Sequence, residues 1–401
     1  MPASRRARRL RWLVPVAVAA ALGLLAFLPT LSSASTPNLP AINAEQLIAK
    51  VKQSNVQAFS GKFELTANLG LPNLSDVQGA VGQSGAGFNP IDLLSGTHTA
   101  TIAVDGPDRQ RLSMPGSLNE VDAFHDGQNA WLWESDGHTV THYILPADKP
   151  DANEPNDHPE NPTPTPEDLG KQLLDQITPS TNVSVTTPAY VADRAVYELV
   201  LAPHAAESTV DHVGIAVDAA NGMPLQVQVV AKGQSKPAIE LGFTSIDYGK
   251  PSGSFSFTPP PGATVTTKDL TKKDDNEGGS FGAAPARPIE LHRFHHATWG
   301  VTMDPMQPPG LRVMTVLGQD WTQIVVADGG LPMRGWGLRD ATTPVSGSWG
   351  SGRLLHTALV NVLVLPDEGI GAESQTGTVY AGFVNASALE AAAGQAVHVG
   401  G

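Results

Sequence analysis

From Tyr190 to Pro261 apolar and polar side chains alternate through one strand-length run after another: AYVADRAVYELVLAP, VDHVGIAVDAANGMPLQVQVVAKG and PAIELGFTSIDYG, closing on FSFTPPPG. A period of two marks half-buried strands, and the turn-rich breaks between them mark an antiparallel meander with one face to bury. The same period appears earlier, between Gly61 and Leu69. There Phe63, Leu65, Ala67 and Leu69 point one way, and Lys62, Glu64, Thr66 and Asn68 the other. Further strands are predicted around Thr97–Val104, Arg109–Met114, Glu120–His125, Ala130–Glu134 and His138–Leu145. Asp105-Gly106-Pro107, Asp126-Gly127 and Asp136-Gly137 supply the hairpin chemistry between them.

Two segments change to a helical period. Asn43 and Gln46 form a capping box for a helix running to Val56, with Leu47, Ile48 and Val51 on one side. Thr165-Pro166-Glu167-Asp168 opens a second helix with a cap, a first-turn proline and two acids at the positive end of the dipole. Leu169, Leu173 and Ile177 give it one apolar stripe, widened by Leu174. A helix inserted midway through a meander is expected to lie across the sheet, because a one-sided sheet needs a cover. The stretch 146–166, rich in Pro, Asp, Asn and Glu, buries too little apolar area to be anything but a surface loop. The Gly-rich stretch 70–96 reads as a loop as well.

After Pro259-Pro260-Pro261-Gly262 the pattern breaks, and Lys268 to Gly279 (KDLTKKDDNEGG) reads as a charged linker. The expected division is a leader over 1–34, a first domain over 35–267, a linker over 268–290 and a small β-rich domain over 291–401. Strands of the last are predicted at Leu311–Val316, Trp321–Ala327, Arg353–Leu365 and Thr378–Val384, with a short helix at Ala386–Ala393.

Composition narrows the functional classes. Forty glycines and 33 prolines suit many turns and long loops. The N-terminus has a basic start at Arg5, Arg6, Arg8, Arg9 and Arg11, an apolar run from Trp12 to Leu28 and the small residues Ser32-Ser33-Ala34. That is the layout of an export signal, with an uncleaved anchor as the alternative. An exported chain with no cysteine has no disulfide framework, thiolate metal site or lipidated cysteine, so its cores alone must hold it. Cleavage after Ala34 removes five arginines and no acid, moving the net charge from -14 to -19. Such an acidic surface disfavours nucleic acid and anionic membranes as partners.

Several segments resemble the superfamily of the lipoprotein carriers LolA and LolB and the regulator RseB. They are Phe59-Ser60-Gly61-Lys62-Phe63, Trp131-Leu132-Trp133, Arg194-Ala195-Val196-Tyr197-Glu198-Leu199 and Val217-Asp218-Ala219 before Gly222-Met223-Pro224-Leu225. The resemblance spans about Leu39 to Gly262, and the tail around Gly347–Leu355 is similar to the C-terminal part of actinobacterial members. It implies a mainly β fold: an open, curved antiparallel half-barrel covered by helices, with a small β-rich C-terminal domain. The implied function is an exported, non-catalytic carrier for lipid or lipoprotein acyl chains, with Phe63, Leu65, Leu69, Trp131 and Trp133 as wall residues and no cofactor. Because the carriers are single-domain and RseB-like regulators have two, a lipid-sensing regulator that binds a membrane anti-sigma factor is the alternative.

Catalytic and metal chemistry finds little footing. His292, His295 and His296 form the one histidine cluster but sit just after the linker, with no matching ligands elsewhere. The run Asp274-Asp275-Asn276-Glu277 lacks the alternation of a calcium loop. Gly79 to Gly87 lacks the Gly-Lys-Ser/Thr ending of a phosphate cradle, and no nucleophile elbow occurs. His138 and His142 are expected on a solvated strand face.

Overall fold

In the computed structural model the described residues are 36–71, 93–116, 119–146, 179–271, 299–300, 311–329, 341–366 and 377–399, with Thr165 and Leu174. They form two sheets. The first contains β1 (Ala58–Asn68), β2 (Ser95–Asp105), β3 (Arg109–Pro115), β4 (Glu120–Asp126), β5 (Asn129–Glu134), β6 (Thr139–Ile144) and β7 (Thr181–Val185). It continues with β8 (Ala189–Val191), β9 (Arg194–Pro203), β10 (Val210–Asp218), β11 (Pro224–Ala231), β12 (Pro237–Tyr248) and β13 (Thr264–Asp269). Its order is β13-β6-β5-β4-β3-β2-β1-β12-β11-β10-β9-β7, with β8 also on β9. Every pairing is antiparallel except β13 with β6, so the sheet is mixed. It does not close into a barrel, although β8 comes up against β12 across the three strands between them.

One helix, α1 (Ala44–Lys52), packs on this sheet near β7 and β9. The expected capping box is present: Asn43 Oδ1 accepts from the Gln46 N–H at 2.8 Å, and Gln46 Oε1 accepts from the Asn43 N–H at 3.1 Å. The helix stops at Lys52 rather than Val56, where the Ser54 N–H bonds to the Val51 carbonyl in a tightened last turn. Leu47 and Val51 are fully buried against Leu199, Leu201, Val213, Ile215 and Val227. The face of the sheet that carries α1 is called here the helix face. Of the second expected helix only Thr165 and Leu174 are described; Leu174 is helical and joins the same core.

The end of α1 fixes the turn between β10 and β11. Gly222 has φ +80°, and a Cβ there would lie 2.5 Å from the carbonyl oxygen of Lys50. Glycine is therefore required twice over, by the backbone conformation and by the close approach. At the β5–β6 turn the left-handed residue is His138 (φ 49°), one position beyond the glycine of the expected Asp136-Gly137 hairpin.

The FSFTPPPG segment does not extend the meander as a strand. Residues 251–261 leave β12, which borders β1, and reach β13, which borders β6, so they cross the sheet as a strap. Three consecutive prolines offer no N–H donors to a ladder, which is why this stretch straps rather than pairs. Beyond it the chain regains strand form in β13, so Lys268 and Asp269, expected to open the linker, are paired with Tyr143 and Ile144. Leu270 and Thr271 follow as a turn, and the expected linker from 272 on lies outside the described residues.

The second sheet contains β14 (Trp299–Gly300), β15 (Leu311–Leu317), β16 (Ile324–Gly329), β17 (Thr342–Gly347), β18 (Gly350–His356), β19 (Asn361–Pro366) and β20 (Gly377–Gly382). Their order is β14-β15-β16-β20-β19-β18-β17. Helix α2 (Ala386–Val399), capped by Asn385 Oδ1 on the Ala388 N–H at 3.0 Å, packs Leu389, Ala392 and Ala393 on Leu363, Tyr380 and Ile324. The single strand expected over Arg353–Leu365 is instead the hairpin β18–β19, broken at 357–360. Trp321 belongs to a 3-10 turn (Asp320–Thr322) rather than to a strand.

Candidate functional site: an apolar sheet face

Cross-strand partners share a face, and the register therefore sorts every strand residue. One row on the helix face runs Gly61, Ile102, Leu112, Ala123, Leu132, Thr141. A neighbouring row runs Met114, Val121, Glu134, Thr139. The first is apolar from β2 to β5 and polar at β6, and the second is apolar on β3 and β4 and polar from β5, giving a greasy floor with a polar rim.

The floor is uneven in its cover. Toward β9 the helix face is sealed: Leu199, Ile215 and Val227 are at most 1% exposed beneath α1. In the middle, Phe59, Phe63, Ala100, Ile102 and Phe243 are buried together, with Phe59 and Phe63 each edge-on to Phe243 at 6.0 Å. Over β3–β5, Leu112, Met114, Val121, Ala123 and Leu132 are only half-buried. An apolar wall that is partly open, with few polar groups, has the chemistry to hold an alkyl chain.

The five residues expected to line a lipid site divide between the two faces. Phe63 and Leu65 are on the helix face, paired with Phe243 and Leu241, and Leu69 follows on the same side of the chain with 7% exposure. Trp133 pairs with Asp122, which pairs with Ser113, then Thr101, then Lys62; Trp131 leads likewise through Phe124, Arg111 and Ala103 to Ser60. Both tryptophans therefore stand on the face opposite Phe63. What covers them is the strap, not a helix: Phe257 lies 4.7 Å from the Phe124 ring and 5.9 Å from Trp131, and Phe255 is 8% exposed. His142, half-buried, stacks on Trp131 at 3.6 Å, and His138, exposed as expected, meets Trp133 edge-on at 5.2 Å, so both imidazoles border the aromatic cluster while keeping access to solvent. His138 Nε2 also lies 3.3 Å from the carbonyl oxygen of Pro261 at the strap's end.

Leu112, Met114, Val121 and Ala123 were absent from the expected set. Their strands were legible, but only the register tells which alternate positions share a face with Phe63. Across β9–β12 the face opposite α1 is mixed: Val196 and Ala216 are buried there, while Gln226 Nε2 donates to Glu240 Oε1 at 2.8 Å and Thr186 Oγ1 donates to Glu198 Oε2 at 2.6 Å.

Among the described residues a buried charged cluster lies at the turn after β10, and a more exposed one joins Asp105 to Arg109 and Lys250. Asp218, 1% exposed, accepts from Arg194 Nε at 2.7 Å, from the Tyr248 hydroxyl at 2.8 Å and from the Ala220 N–H at 2.8 Å. Burial alone would raise its pKa; these three donors outweigh burial and hold the carboxyl below its ordinary value. Burial first, reinforced by the bond to Asp218, pushes the Tyr248 phenol well above its usual range. With every partner internal, the cluster ties strand ends together. No group of three His, Cys, Asp or Glu able to hold a metal ion occurs among the described residues, and the HRFHH histidines lie outside them.

No family model matches this chain, and no curated protein matches it by sequence. Among solved structures it is similar to MucB in complex with MucA(peri), at 14% identity over 87% of this chain and 97% of that one, TM-score 0.42. The MucA/MucB complex of Pseudomonas aeruginosa gives 15% identity over 87% and 96%, TM-score 0.43. A LolA superfamily protein from Nitrosomonas europaea gives 10% identity over 53% and 96%, TM-score 0.19. All three are likenesses in fold at low identity. Among the described residues no helix is long and apolar enough to cross a membrane.

Proposed function

We propose that this chain is an exported, non-catalytic binding protein for lipid, taking an acyl chain on the helix face of its first sheet. One observation carries the reading: the half-buried floor of Leu112, Met114, Val121, Ala123 and Leu132, continuous by register with the buried Ile102 and bordered by the polar Thr141, Glu134 and Thr139. An alkyl chain gains by leaving water for such a floor at about 25 cal/mol per Å² buried, and the rim leaves a polar headgroup solvated. Of the residues expected at the site, Phe63, Leu65 and Leu69 remain in it. Native mass spectrometry of the secreted protein, with lipid analysis of what co-purifies, tests the reading. A discrete lipid near one per chain supports it, and an apo mass with no uptake of offered fatty acid rejects it.

A second reading is a regulator that binds a membrane anti-sigma factor through the same exported chain. The presence of a second sheet bonded to the first favours it. It predicts a complex that survives pull-down from membranes, and fails if none does.

A further inference from the structure

The hairpin turn between β18 and β19 reaches into the core of the first sheet. Leu359 is 0% exposed and sits among Leu47, Val51, Leu69, Leu201 and Val213 on the helix face. The neighbouring Ala358 N–H donates to the Leu69 carbonyl at 2.8 Å, at the end of the line that runs down β1 through Phe63, Leu65 and Ala67. The turn is stiffened from within its own sheet. Thr357 Oγ1 donates to the Val360 carbonyl at 2.7 Å, Asn361 Oδ1 lies 2.6 Å from His356 Nδ1, and Asn361 Nδ2 donates to the Val384 carbonyl at 2.7 Å.

Around this aliphatic plug the junction is a rim of hydrogen bonds. The Thr209 N–H donates to the Phe383 carbonyl at 2.9 Å and the Asn385 N–H to the Glu207 carbonyl at 2.7 Å, a short antiparallel bridge at Ser208 and Val384. Ser180 Oγ donates to Asp320 Oδ2 at 2.9 Å, Trp321 Nε1 to Thr181 Oγ1 at 2.7 Å, and Thr209 Oγ1 to the Leu359 carbonyl. The apolar part of this junction is small, the buried Leu359 with the partly buried Trp321, Ala358 and Val360, and with its hydrogen-bonded rim it has the make-up of an interface that can part, since the polar groups can be taken up by water.

We propose that Leu359 and the ligand's alkyl end compete for this seat, so that binding and docking of the second sheet oppose each other. This rests on the lipid-binding reading above. The open floor and the seat belong to one face. Ile102 to Leu132 spans three interstrand steps, about 14 Å, and β1 carries the face on from Phe63 to Leu69 over about 20 Å. An acyl chain laid from the open floor along β1 ends where Leu359 stands. A ligand that binds better with the seat vacated must shift the equilibrium toward undocking, and a docked plug must weaken the ligand by the same factor.

Because the chain has no cysteine, Ser180→Cys with Asp320→Cys forms a single disulfide that locks the sheets together. The test is uptake of a fluorescent long-chain fatty acid by the full chain, oxidised and then reduced. The oxidised protein should bind about tenfold or more weakly and recover on reduction, because the vacated state is removed from the ensemble. Leu359→Ala without the lock should bind more tightly than the parent, and saturating fatty acid should slow closure of the disulfide. Equal affinity in oxidised and reduced protein overturns the competition while leaving lipid binding intact. No uptake in either form overturns both.

Discussion

Arg194 Nε lies 2.7 Å from Asp218 Oδ2, and the Arg194 guanidinium also rests 4.8 Å above the Tyr248 ring. Three strands, β9, β10 and β12, are tied at that point. Asp218→Asn should lower stability by about 1–3 kcal/mol, since the buried amide replaces charge-assisted bonds and misdirects one donor. The loss is pH-dependent. The folded carboxyl titrates below its unfolded value near 4, so the stabilisation is complete above about pH 4 and disappears as pH falls through the folded pKa. Tyr248 runs the other way: its raised pKa gives stability present below about pH 10 and lost as pH climbs toward the folded value. Urea midpoints from pH 2 to 11 check both arms. The gap between parent and Asp218→Asn should close in acid.

Trp133 and Phe257 provide a test that separates the two faces. Trp133→Ala should cost about 3–5 kcal/mol, as expected for a large aromatic removed from a core. Fatty acid affinity, measured where the variant is still folded, should stay unchanged because Trp133 faces the strap. A large loss of affinity without a loss of stability would return Trp133 to the binding wall.

Leu132→Asp reverses that signature. The residue is half-buried on the open floor, so the fold should lose about 1 kcal/mol or less. Alkyl binding should weaken by about tenfold or more, since a carboxylate on the floor must be desolvated by the ligand. Dye titration beside a thermal melt reads both numbers from one preparation.

Gly222→Ala should destabilise by about 1–3 kcal/mol, from the left-handed backbone and from the Lys50 carbonyl that its Cβ would strike. A weaker clash at α1 would show as a loss below about 0.5 kcal/mol in chemical denaturation.

Most strands of the first sheet were legible because their period is local. Phe63, Leu65, Ala67 and Leu69 alternate with Lys62, Glu64, Thr66 and Asn68, and only one pairing face satisfies that pattern. The Asn43–Gln46 capping box was legible for the same reason, since both partners lie within one helical turn. Trp131 and Trp133 were placed on a common face correctly, but which face is a property of four successive registers from β5 back to β1. The strap that covers them pairs with nothing in a ladder, so no period announces it.

What the sequence determined by itself is the local part: strand periods, the helix start and the absence of thiols. What only the tertiary structure decided is which apolar residues meet. HTALV, inside an apolar run from Arg353 to Leu365, reads as continuous strand, yet it turns and sends Leu359 into a core built from residues between 47 and 238. The reason is physical. A buried leucine looks the same in sequence whichever core receives it, and burial against residues more than a hundred positions away is settled by packing, not by neighbours along the chain.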